Sequence, residues 1–341
     1  MESIKISAVE PNWAGFMRNI KREGTPSRVH YFEHGISPEI LEKFTELYGL
    51  RKNNDLDTAS NVHRFLGHEI FRVFPPGARM SAPRVRETWA QEGSGPIASF
   101  EDLEKFDWPK PQNADLSVLD HYEKNLPENM RVFHVVDIWE VVRDLVGFEP
   151  VCMMFYDNPE LIEALFEKVG SFVEKVVESC CDYACYGAVY LGDDLGYKSS
   201  LMLSPTMIRK LIFPWHKRIA DLSHKKGKLF FLHSCGQMYS LMDEYIDYVK
   251  IDAKHSFEDA VLPVTGAKVK YGSRATLLGG IDVDLLSRSS EPELRAKTRE
   301  ILSGCVPGGG YCFGSGNWVT SYVPFENYQI VLDEARKFKC I

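Results

Sequence analysis

The sequence lacks the features of several protein classes. No run of lysine and arginine exceeds two residues, and 48 acidic residues outnumber 40 basic ones, for a formal charge of −8. We therefore expect no binding to nucleic acid or to an anionic membrane surface. The apolar stretches are short and interrupted by charges, which argues against a membrane-spanning helix. Residues 1–5 show no apolar run like that of a signal peptide, so we expect a cytoplasmic protein.

The amino-acid composition is that of an ordinary globular protein. Apolar residues make up 44% of the 341 residues and charged residues 26%, which excludes a disordered or fibrous chain. In a cytoplasmic protein, the eight cysteines are expected to be free thiols or metal ligands rather than a disulfide framework. These properties are typical of a soluble enzyme.

Short apolar runs alternate with longer amphipathic segments along the chain. The runs predicted to be buried strands are residues 28–33, 69–74, 132–137, 188–192, 229–233, 249–251, 275–279 and 310–314. The segments predicted to be helices are residues 159–185, 204–225, 291–305 and 326–337. About eight strands, most of them followed by a helix, favour one (β/α)8 TIM barrel domain over residues 1–341. Residues 35–130 are less regular, and we expect inserted or lid-like segments there.

The most informative pattern follows the strand at 229–233. His233 and Cys235 are separated by one residue and precede Gly236. Side chains at this spacing on an extended segment point the same way, so an imidazole and a thiolate can reach one metal ion. Zinc suits nitrogen and sulfur ligands best, and Cys312 at the last strand is placed to add a thiolate. The alternative is an ordinary buried histidine and cysteine.

Carboxylates follow two other predicted strands. Asp193 and Asp194 come directly after residues 188–192, where they could accept hydrogen bonds from a substrate, share a proton or bind a cation. Glu140 follows the third strand, and an inward carboxylate beside Trp139 would have a raised pKa. We assign catalytic roles to all three acids. The alternative is that they cap loops or are solvated.

Further polar residues lie near other strand ends. Asp252 follows the predicted strand at 249–251, and with His255 it could act in acid–base work, although a helix cap is an equal alternative. We therefore take Asp252 as catalytic and His255 as substrate-binding. Three more residues near strand ends are predicted to bind substrate: Tyr197, Asp282 and Asn317.

Several of these segments together resemble the uroporphyrinogen decarboxylase superfamily, over residues 137–337. The motifs that carry the resemblance are Gly192-Asp193-Asp194, Leu203-Ser204-Pro205, His233-Ser234-Cys235-Gly236, Leu278-Gly279-Gly280-Ile281-Asp282, Gly314-Ser315-Gly316-Asn317 and Val323-Pro324-Phe325-Glu326-Asn327. The resemblance implies a (β/α)8 barrel, in agreement with the strand count.

The superfamily contains decarboxylases and zinc methyltransferases. The decarboxylases hold the substrate's carboxylates with a segment of the type Met-Arg-Gln-Ala-Gly-Arg, and residues 28–35 read Arg-Val-His-Tyr-Phe-Glu-His-Gly instead. Because several carboxylates need fixed cationic donors, this difference argues against porphyrinogen decarboxylation. The resemblance therefore implies a zinc methyltransferase that moves a methyl group to or from a corrinoid (cobalamin) on a partner protein.

The third zinc ligand departs from the family pattern. In the thiol-methylating enzymes the later cysteine lies in a Pro-Gly-Cys-Gly turn, and the comparable turn here puts Ser315 in its place. Spacing along the chain favours Cys312, which we prefer because serine is a poor zinc ligand. Asp193, Asp194 and Asp252 are alternatives. A site with fewer thiolates suits an oxygen substrate, so we favour demethylation of a small methylated compound such as an aryl methyl ether.

Other functions remain open at this stage. One is a metal-free decarboxylase in which Asp193 or Asp194 stabilises a protonated pyrrole, and another is a methylcobamide:thiol methyltransferase. A non-catalytic module that binds a corrinoid or tetrapyrrole is the third. The expected partners are a corrinoid protein and the small methylated substrate. The sequence does not determine whether the chain forms a homodimer.

Overall fold

A computed structural model of the chain describes residues 4–80 and 95–340. Within these ranges, the strands are β1 Ile70–Arg72, β2 Arg131–Val136, β3 Tyr186–Leu191, β4 Leu229–His233, β5 Ala253–His255, β6 Thr276–Leu278 and β7 Tyr311–Cys312. The first eight α-helices are α1 Trp13–Ile20, α2 Pro38–Tyr48, α3 Asp55–Leu66, α4 Phe100–Lys105, α5 Ser117–Asn125, α6 Trp139–Val146, α7 Phe148–Asp157 and α8 Pro159–Cys181. The others are α9 Pro205–Met207, α10 Phe213–Lys225, α11 Met242–Glu244, α12 Val264–Tyr271, α13 Val283–Arg288, α14 Glu291–Cys305 and α15 Phe325–Lys337.

The chain divides into two compact units. The first unit comprises the described residues of 1–72, 124–133 and 251–341. In it β1 pairs with β2, β5 with β6 and β6 with β7, all in parallel. Tyr31 forms isolated parallel bridges to His68 and to Phe313, so this residue lies between β7 and β1, but the predicted strand at 28–33 is not observed as a strand.

The second unit comprises the described residues of 73–123 and 134–250. Strands β3 and β4 pair in parallel there, with Tyr190 opposite Phe231. The Gly192 N–H donates to the Val136 carbonyl at 2.9 Å, which brings the carboxyl ends of β2 and β3 together. Every residue of β3 and β4 is buried, as expected for strands covered on both faces.

The predicted strand at 249–251 is wrong. Residues 249–251 are not a strand, because Tyr245–Val249 form a π-helical turn that ends at Lys250 in a left-handed conformation. Val249 is fully buried, and a short apolar run at the end of a helix has the same composition as a short strand. The strand in this region is β5, which begins at Ala253. Asp252 therefore precedes the strand and lies at its amino end.

The predicted helices are close to the observed ones. Helix α8 starts at Pro159 with the Asn158 side chain accepting a hydrogen bond from the Leu161 N–H at 3.3 Å, and it ends at Cys181 rather than at residue 185. The segment at 204–225 is interrupted by a π-helical turn, Ile208–Ile212. Pro214 follows that turn and, having no N–H, cannot continue the α-helical bonding there.

In the first unit, helices α2, α3, α12, α14 and α15 cover an apolar cluster. Leu277 and Tyr311, which are register partners of β6 and β7, belong to this cluster together with Phe44, Ile301 and Leu332. Because side chains alternate along a strand, Cys312 faces the opposite side of the sheet. The proposed lid-like role of residues 35–130 stays a prediction. No helix in the described part of the chain has the length and hydropathy needed to span a membrane.

Candidate metal centre

Three potential metal ligands meet where β3 and β4 end. The Nε2 atom of His233 lies 3.5 Å from the Cys235 Sγ atom and 3.5 Å from the Asp194 Oδ1 atom. All three ligand atoms are within 4.8 Å of one another. Tetrahedral zinc ligands at about 2.0–2.3 Å from the ion are roughly 3.3–3.8 Å apart, so these side chains fit one metal ion.

Glycines allow the two loops that carry the ligands to approach each other. Gly236 has a φ of +73°, and a Cβ atom there would lie 2.2 Å from the Gly196 carbonyl oxygen. A Cβ atom at Gly196 would lie 2.6 Å from the Gln237 nitrogen. The Cys235 N–H donates to Asp194 Oδ1 at 2.7 Å across this contact. The glycine after the His-x-Cys pair is thus required for the close approach of Asp194.

Tyr190 orients the imidazole of His233. The tyrosine is fully buried, and its hydroxyl lies 3.1 Å from the His233 Nδ1 atom. A partner on Nδ1 leaves Nε2 directed toward Cys235 and Asp194, which is the common arrangement around metal-binding histidines. The strand register indicates this contact, since Tyr190 opposes Phe231 and His233 lies two residues further on the same face.

Asp193 has a different environment from its neighbour Asp194. Its side chain is fully buried and accepts hydrogen bonds from the N–H groups of Ile138 and Glu140 at 3.0 and 3.1 Å. Its other oxygen lies 2.8 Å from Nε2 of His216, a residue that sequence reasoning missed. Asp193 therefore caps the start of α6. Asp194, whose side chain is 31% exposed, is the aspartate that faces the other candidate ligands.

Glu140 lies on α6 with Arg143 paired to its carboxylate. The Arg143 Nη1 atom donates to Glu140 Oε1 at 2.8 Å, and Nη2 contacts the other oxygen. Burial raises the pKa of Glu140 to about 8, the nearby charges of Asp194 and Asp193 add to this rise, and Arg143 opposes it. The direction of this pKa shift agrees with the sequence-based expectation, whereas the pairing of both carboxylate oxygens with Arg143 favours the ionised form.

Cys312 lies in the first unit and is fully buried. Its Sγ atom accepts a hydrogen bond from the Asn19 side chain at 3.4 Å, and burial raises the pKa of its thiol well above the ordinary value. Among the described residues, it does not belong to the group formed by Asp194, His233 and Cys235. Its role as a zinc ligand stays a prediction.

The other predicted site residues are spread over both units. In the first unit, both carboxylate oxygens of Asp282 accept backbone hydrogen bonds, from Asp284 and Asp259, each at 2.8 Å. Asp282 thereby caps α13. In the second unit, Tyr197 is 47% exposed, and its carbonyl accepts a hydrogen bond from the Gln237 N–H at 2.6 Å. It therefore borders the Cys235 loop.

Asp252 and His255 lie at opposite ends of β5. The Asp252 carbonyl accepts a hydrogen bond from the Thr276 N–H at 3.1 Å at the amino end. In barrels of this type, chemistry gathers at the carboxyl ends of the strands. The catalytic role of Asp252 was predicted from a position at the carboxyl end of a strand. Asp252 does not have that position in the structure, whereas His255 does.

Ser315, the residue at the family's cysteine position, is held by a buried carboxyl. Glu33 accepts hydrogen bonds from the Ser315 N–H at 3.0 Å and the Tyr328 hydroxyl at 3.2 Å. The Ser315 Oγ atom contacts both Glu33 and, at 2.9 Å, the Asn317 carbonyl oxygen. A hydroxyl has one proton, so both contacts are satisfied when Glu33 itself is protonated. Burial raises the pKa of Glu33 to about 7.

The raised pKa of Glu33 predicts a pH-dependent stability. Its pKa rises from 4.5 to about 7 on folding, so between these values the folded protein keeps a proton that the unfolded chain loses. Its contribution to the free energy of unfolding is complete below pH 4.5 and declines as the pH rises to about 7, in total by roughly 3 kcal/mol. We expect Glu33→Gln to flatten this decline in urea unfolding at pH 5 and pH 7.5. The exposed control Glu300→Gln should keep the wild-type slope, and a slope unchanged in Glu33→Gln would refute the assignment.

Comparison with known proteins identifies the family. The family described as uroporphyrinogen decarboxylase (URO-D) matches residues 94–338 of the chain. The chain belongs to the uroporphyrinogen decarboxylase family. This membership confirms the resemblance that the sequence motifs indicated. No curated protein sequence matches the chain.

A solved structure confirms the fold of this uroporphyrinogen decarboxylase family member. A methyltransferase from Methanosarcina mazei is similar to it with a TM-score of 0.71 and 14% identity, over 96% of this chain and 98% of that chain. A sugar phosphate isomerase/epimerase from Parabacteroides distasonis has a TM-score of 0.43 and 10% identity, over 89% of this chain and 95% of that chain. The parallel strands and the first of these similarities confirm the TIM-barrel-like α/β fold.

Proposed function

We propose that this protein is a zinc-dependent methyltransferase that moves a methyl group between a small methylated substrate and a corrinoid on a partner protein. The observation that carries the proposal is the convergence of the His233 nitrogen, the Cys235 sulfur and an Asp194 oxygen at about zinc-ligand spacing. The fold shared with a methyltransferase supports the reaction class. The corrinoid and the zinc are inferences from the family resemblance and from this donor set.

Asp194 is our choice for the third ligand, in place of Cys312. One thiolate, one imidazole and one carboxylate form a harder donor set than two thiolates and an imidazole. When bound there, zinc supplies Lewis acidity toward an ether or phenolic oxygen. The exposed part of the Asp194 side chain leaves room for a small substrate to approach. A methyl ether is therefore a better match than a thiol.

Glu140 is the proposed proton donor. When the methyl group leaves an ether, the electron pair of the broken C–O bond stays on the substrate oxygen, which then needs a proton. Burial raises the pKa of Glu140, so this group keeps a proton to higher pH than an ordinary carboxyl group does, and Arg143 fixes its position. After proton transfer, the Glu140 carboxylate remains paired with Arg143. Acid–base catalysis of this kind typically contributes 10²–10⁴-fold to a rate.

The environment of Asp193 speaks against the decarboxylase alternative. A carboxylate that stabilises a protonated pyrrole must contact the substrate, and Asp193 is fully buried with both oxygens hydrogen-bonded. Asp194 is accessible, but its Oδ1 atom is already directed at Cys235 and His233. These contacts favour a metal ligand over a pyrrole ligand.

The proposal can be tested with the purified protein and free cobalamin in place of the partner. We expect protein loaded with one equivalent of zinc to transfer methyl groups from methoxybenzenes to reduced cobalamin, as followed by absorbance. Protein stripped with a chelator should be inactive and should recover with zinc. Failure to bind zinc, or equal activity with and without it, would refute the proposal. Methylation of a thiol by methylcobalamin, without ether cleavage, would establish the thiol methyltransferase instead.

A further inference from the structure

A buried pair of a carboxyl and a hydroxyl, Glu33 and Ser315, lies in the first unit just after the carboxyl end of β7. Glu33 is 4% exposed and Ser315 is 1% exposed. Within the described residues, no basic side chain forms an ion pair with Glu33, whose hydrogen-bond partners are Ser315 and Tyr328. A carboxyl group buried without a cation is more stable with its proton than as a carboxylate. The neutral form of Glu33 is therefore the form that its surroundings favour.

The hydrogen atoms of this pair can be placed by counting donors and acceptors. Glu33 Oε1 accepts from the Ser315 N–H at 3.0 Å and from the Tyr328 hydroxyl at 3.2 Å, so the proton of neutral Glu33 is on Oε2. This Oε2–H group donates to the Ser315 Oγ atom, which contacts it. The Ser315 hydroxyl then donates its own proton to the Asn317 carbonyl at 2.9 Å. The two hydrogen bonds form a chain that runs from Glu33 to Asn317.

Loss of the Glu33 proton breaks this chain of hydrogen bonds. An ionised carboxylate has no hydrogen to donate, and the Ser315 hydroxyl has only one. Because a hydrogen bond to a charged acceptor is stronger than one to a neutral carbonyl, the Ser315 hydroxyl turns to Glu33. The Asn317 carbonyl then loses its hydrogen bond from Ser315. One proton on Glu33 thus decides which partner the Ser315 hydroxyl has.

The backbone on either side of residues 317–318 is anchored to other parts of the first unit. The Ser315 carbonyl accepts a hydrogen bond from the Gly280 N–H at 3.2 Å. Beyond the segment, the Val319 N–H donates to the Gly35 carbonyl at 3.0 Å. Because Ser315 is fixed in this way, a change of its hydroxyl partner acts on residues 317–318 rather than on the Ser315 backbone.

Trp318 is the large side chain of this segment, and it is closely packed. A Cβ atom at Gly35 would lie 2.4 Å from the Trp318 ring, and the Arg72 guanidinium lies 5.1 Å from the centre of that ring. The His34 ring is 5.5 Å away in an edge-to-face arrangement, and its Nε2 atom lies 3.2 Å from Arg72 Nη1. A shift of Asn317 therefore changes the packing around its neighbour Trp318.

We propose that Glu33 and Ser315 form a one-proton switch that holds residues 317–318 in place when Glu33 is neutral and releases them when Glu33 is ionised. Burial raises the pKa of Glu33 to about 7, so the released form is favoured as the pH rises through neutrality. The titratable groups that face Glu33 are the hydroxyls of Tyr328 on α15 and Tyr311 on β7. Burial raises the pKa of both hydroxyls well above the ordinary value, so neither ionises together with Glu33. The switch requires neither zinc nor a corrinoid and does not rest on the proposed function.

Hydrogen–deuterium exchange measured by mass spectrometry tests the switch on the full chain without an activity assay. Exchange in peptides that cover residues 317–318 is compared at pH 5 and pH 8, with labelling times scaled for the effect of pH on chemical exchange. We expect this segment to exchange about fivefold faster at pH 8, as for the loss of one hydrogen bond. Peptides from α8, in the second unit, are the reference and should show no change. Equal scaled rates at the two pH values would overturn the proposal.

Two variants fix the switch in its two states. Glu33→Gln keeps the shape of the side chain and has an N–H group that donates to Ser315 Oγ at every pH, so exchange should stay slow at both pH values. Ser315→Ala has no hydroxyl, so exchange should be fast at both. The exposed control Glu300→Gln should keep the wild-type difference. Thermal unfolding shows which variants are folded, and a wild-type pH difference in folded Glu33→Gln or folded Ser315→Ala would contradict the assignment. If neither variant folds, the wild-type comparison alone decides.

Discussion

Replacement of Cys235 by alanine is expected to lower bound zinc from about one ion per chain to less than a tenth and to slow methyl transfer more than 100-fold. Loss of a residue that merely supports a metal ligand costs about 10- to 100-fold in affinity or activity, and loss of the ligand itself should cost more. His233→Ala should behave in the same way, because its Nε2 atom is the centre of the group. Zinc is measured by elemental analysis of the dialysed protein.

The chain provides its own controls for this experiment. Cys152 is a half-buried cysteine in the same unit, and Cys152→Ala should retain full zinc and activity. Cys312→Ala should also retain zinc if Asp194 is the third ligand. Loss of zinc from Cys312→Ala equal to that from Cys235→Ala would restore Cys312 as the ligand. Undiminished zinc in folded Cys235→Ala would eliminate the site as we describe it.

The second large effect is expected on substitution of the two adjacent aspartates, Asp193 and Asp194, which should differ in their effects on stability and on zinc binding. Asp193→Ala leaves His216 and two backbone N–H groups without their acceptor in a fully buried position. Removal of one partner of a buried pair of this kind typically costs 3–5 kcal/mol, and we expect a loss of about that size in the free energy of unfolding. Asp194→Asn, in contrast, should change stability by less than about 1 kcal/mol and lose zinc.

Urea unfolding must be compared on metal-free protein, since bound zinc would itself stabilise the native state. Zinc content is then measured on the folded fraction of each variant. The predicted result is a crossed pattern, with Asp193 controlling stability and Asp194 controlling the metal. Two variants with equal stability, or an Asp194→Asn variant that retains full zinc, would show that the two carboxylates do not divide the roles in this way.

Local patterns were sufficient for much of the fold. The strand at 229–233 is observed as β4 with the predicted bounds, where a short apolar run ends at His233. The helix at 291–305 also has its predicted bounds, and its capping box, Ser290 with Glu293, is a local signal. The prediction of a strand at 249–251 was wrong, because Val249 belongs to a π-helical turn.

The sequence predicted those site residues that lie close to one another in the chain. His233 and Cys235 are one residue apart on an extended segment, so their convergence follows from strand geometry. Tyr190 and Arg72 gave no comparable signal, since their partners, His233 and His34, lie 43 and 38 positions away in the chain. Only strand pairing and loop geometry bring such residues together.

The sequence by itself determined the alternating strands and helices, the family, and the pair of side chains that can reach a metal ion. These depend on periodicity and on short motifs, which act over a few residues. The tertiary structure decided that Asp193 is buried as a cap and Asp194 faces Cys235, and that Arg72 contacts both His34 and Trp318. Burial and long-range contacts set the role of a polar side chain, and neither is encoded in its immediate neighbours.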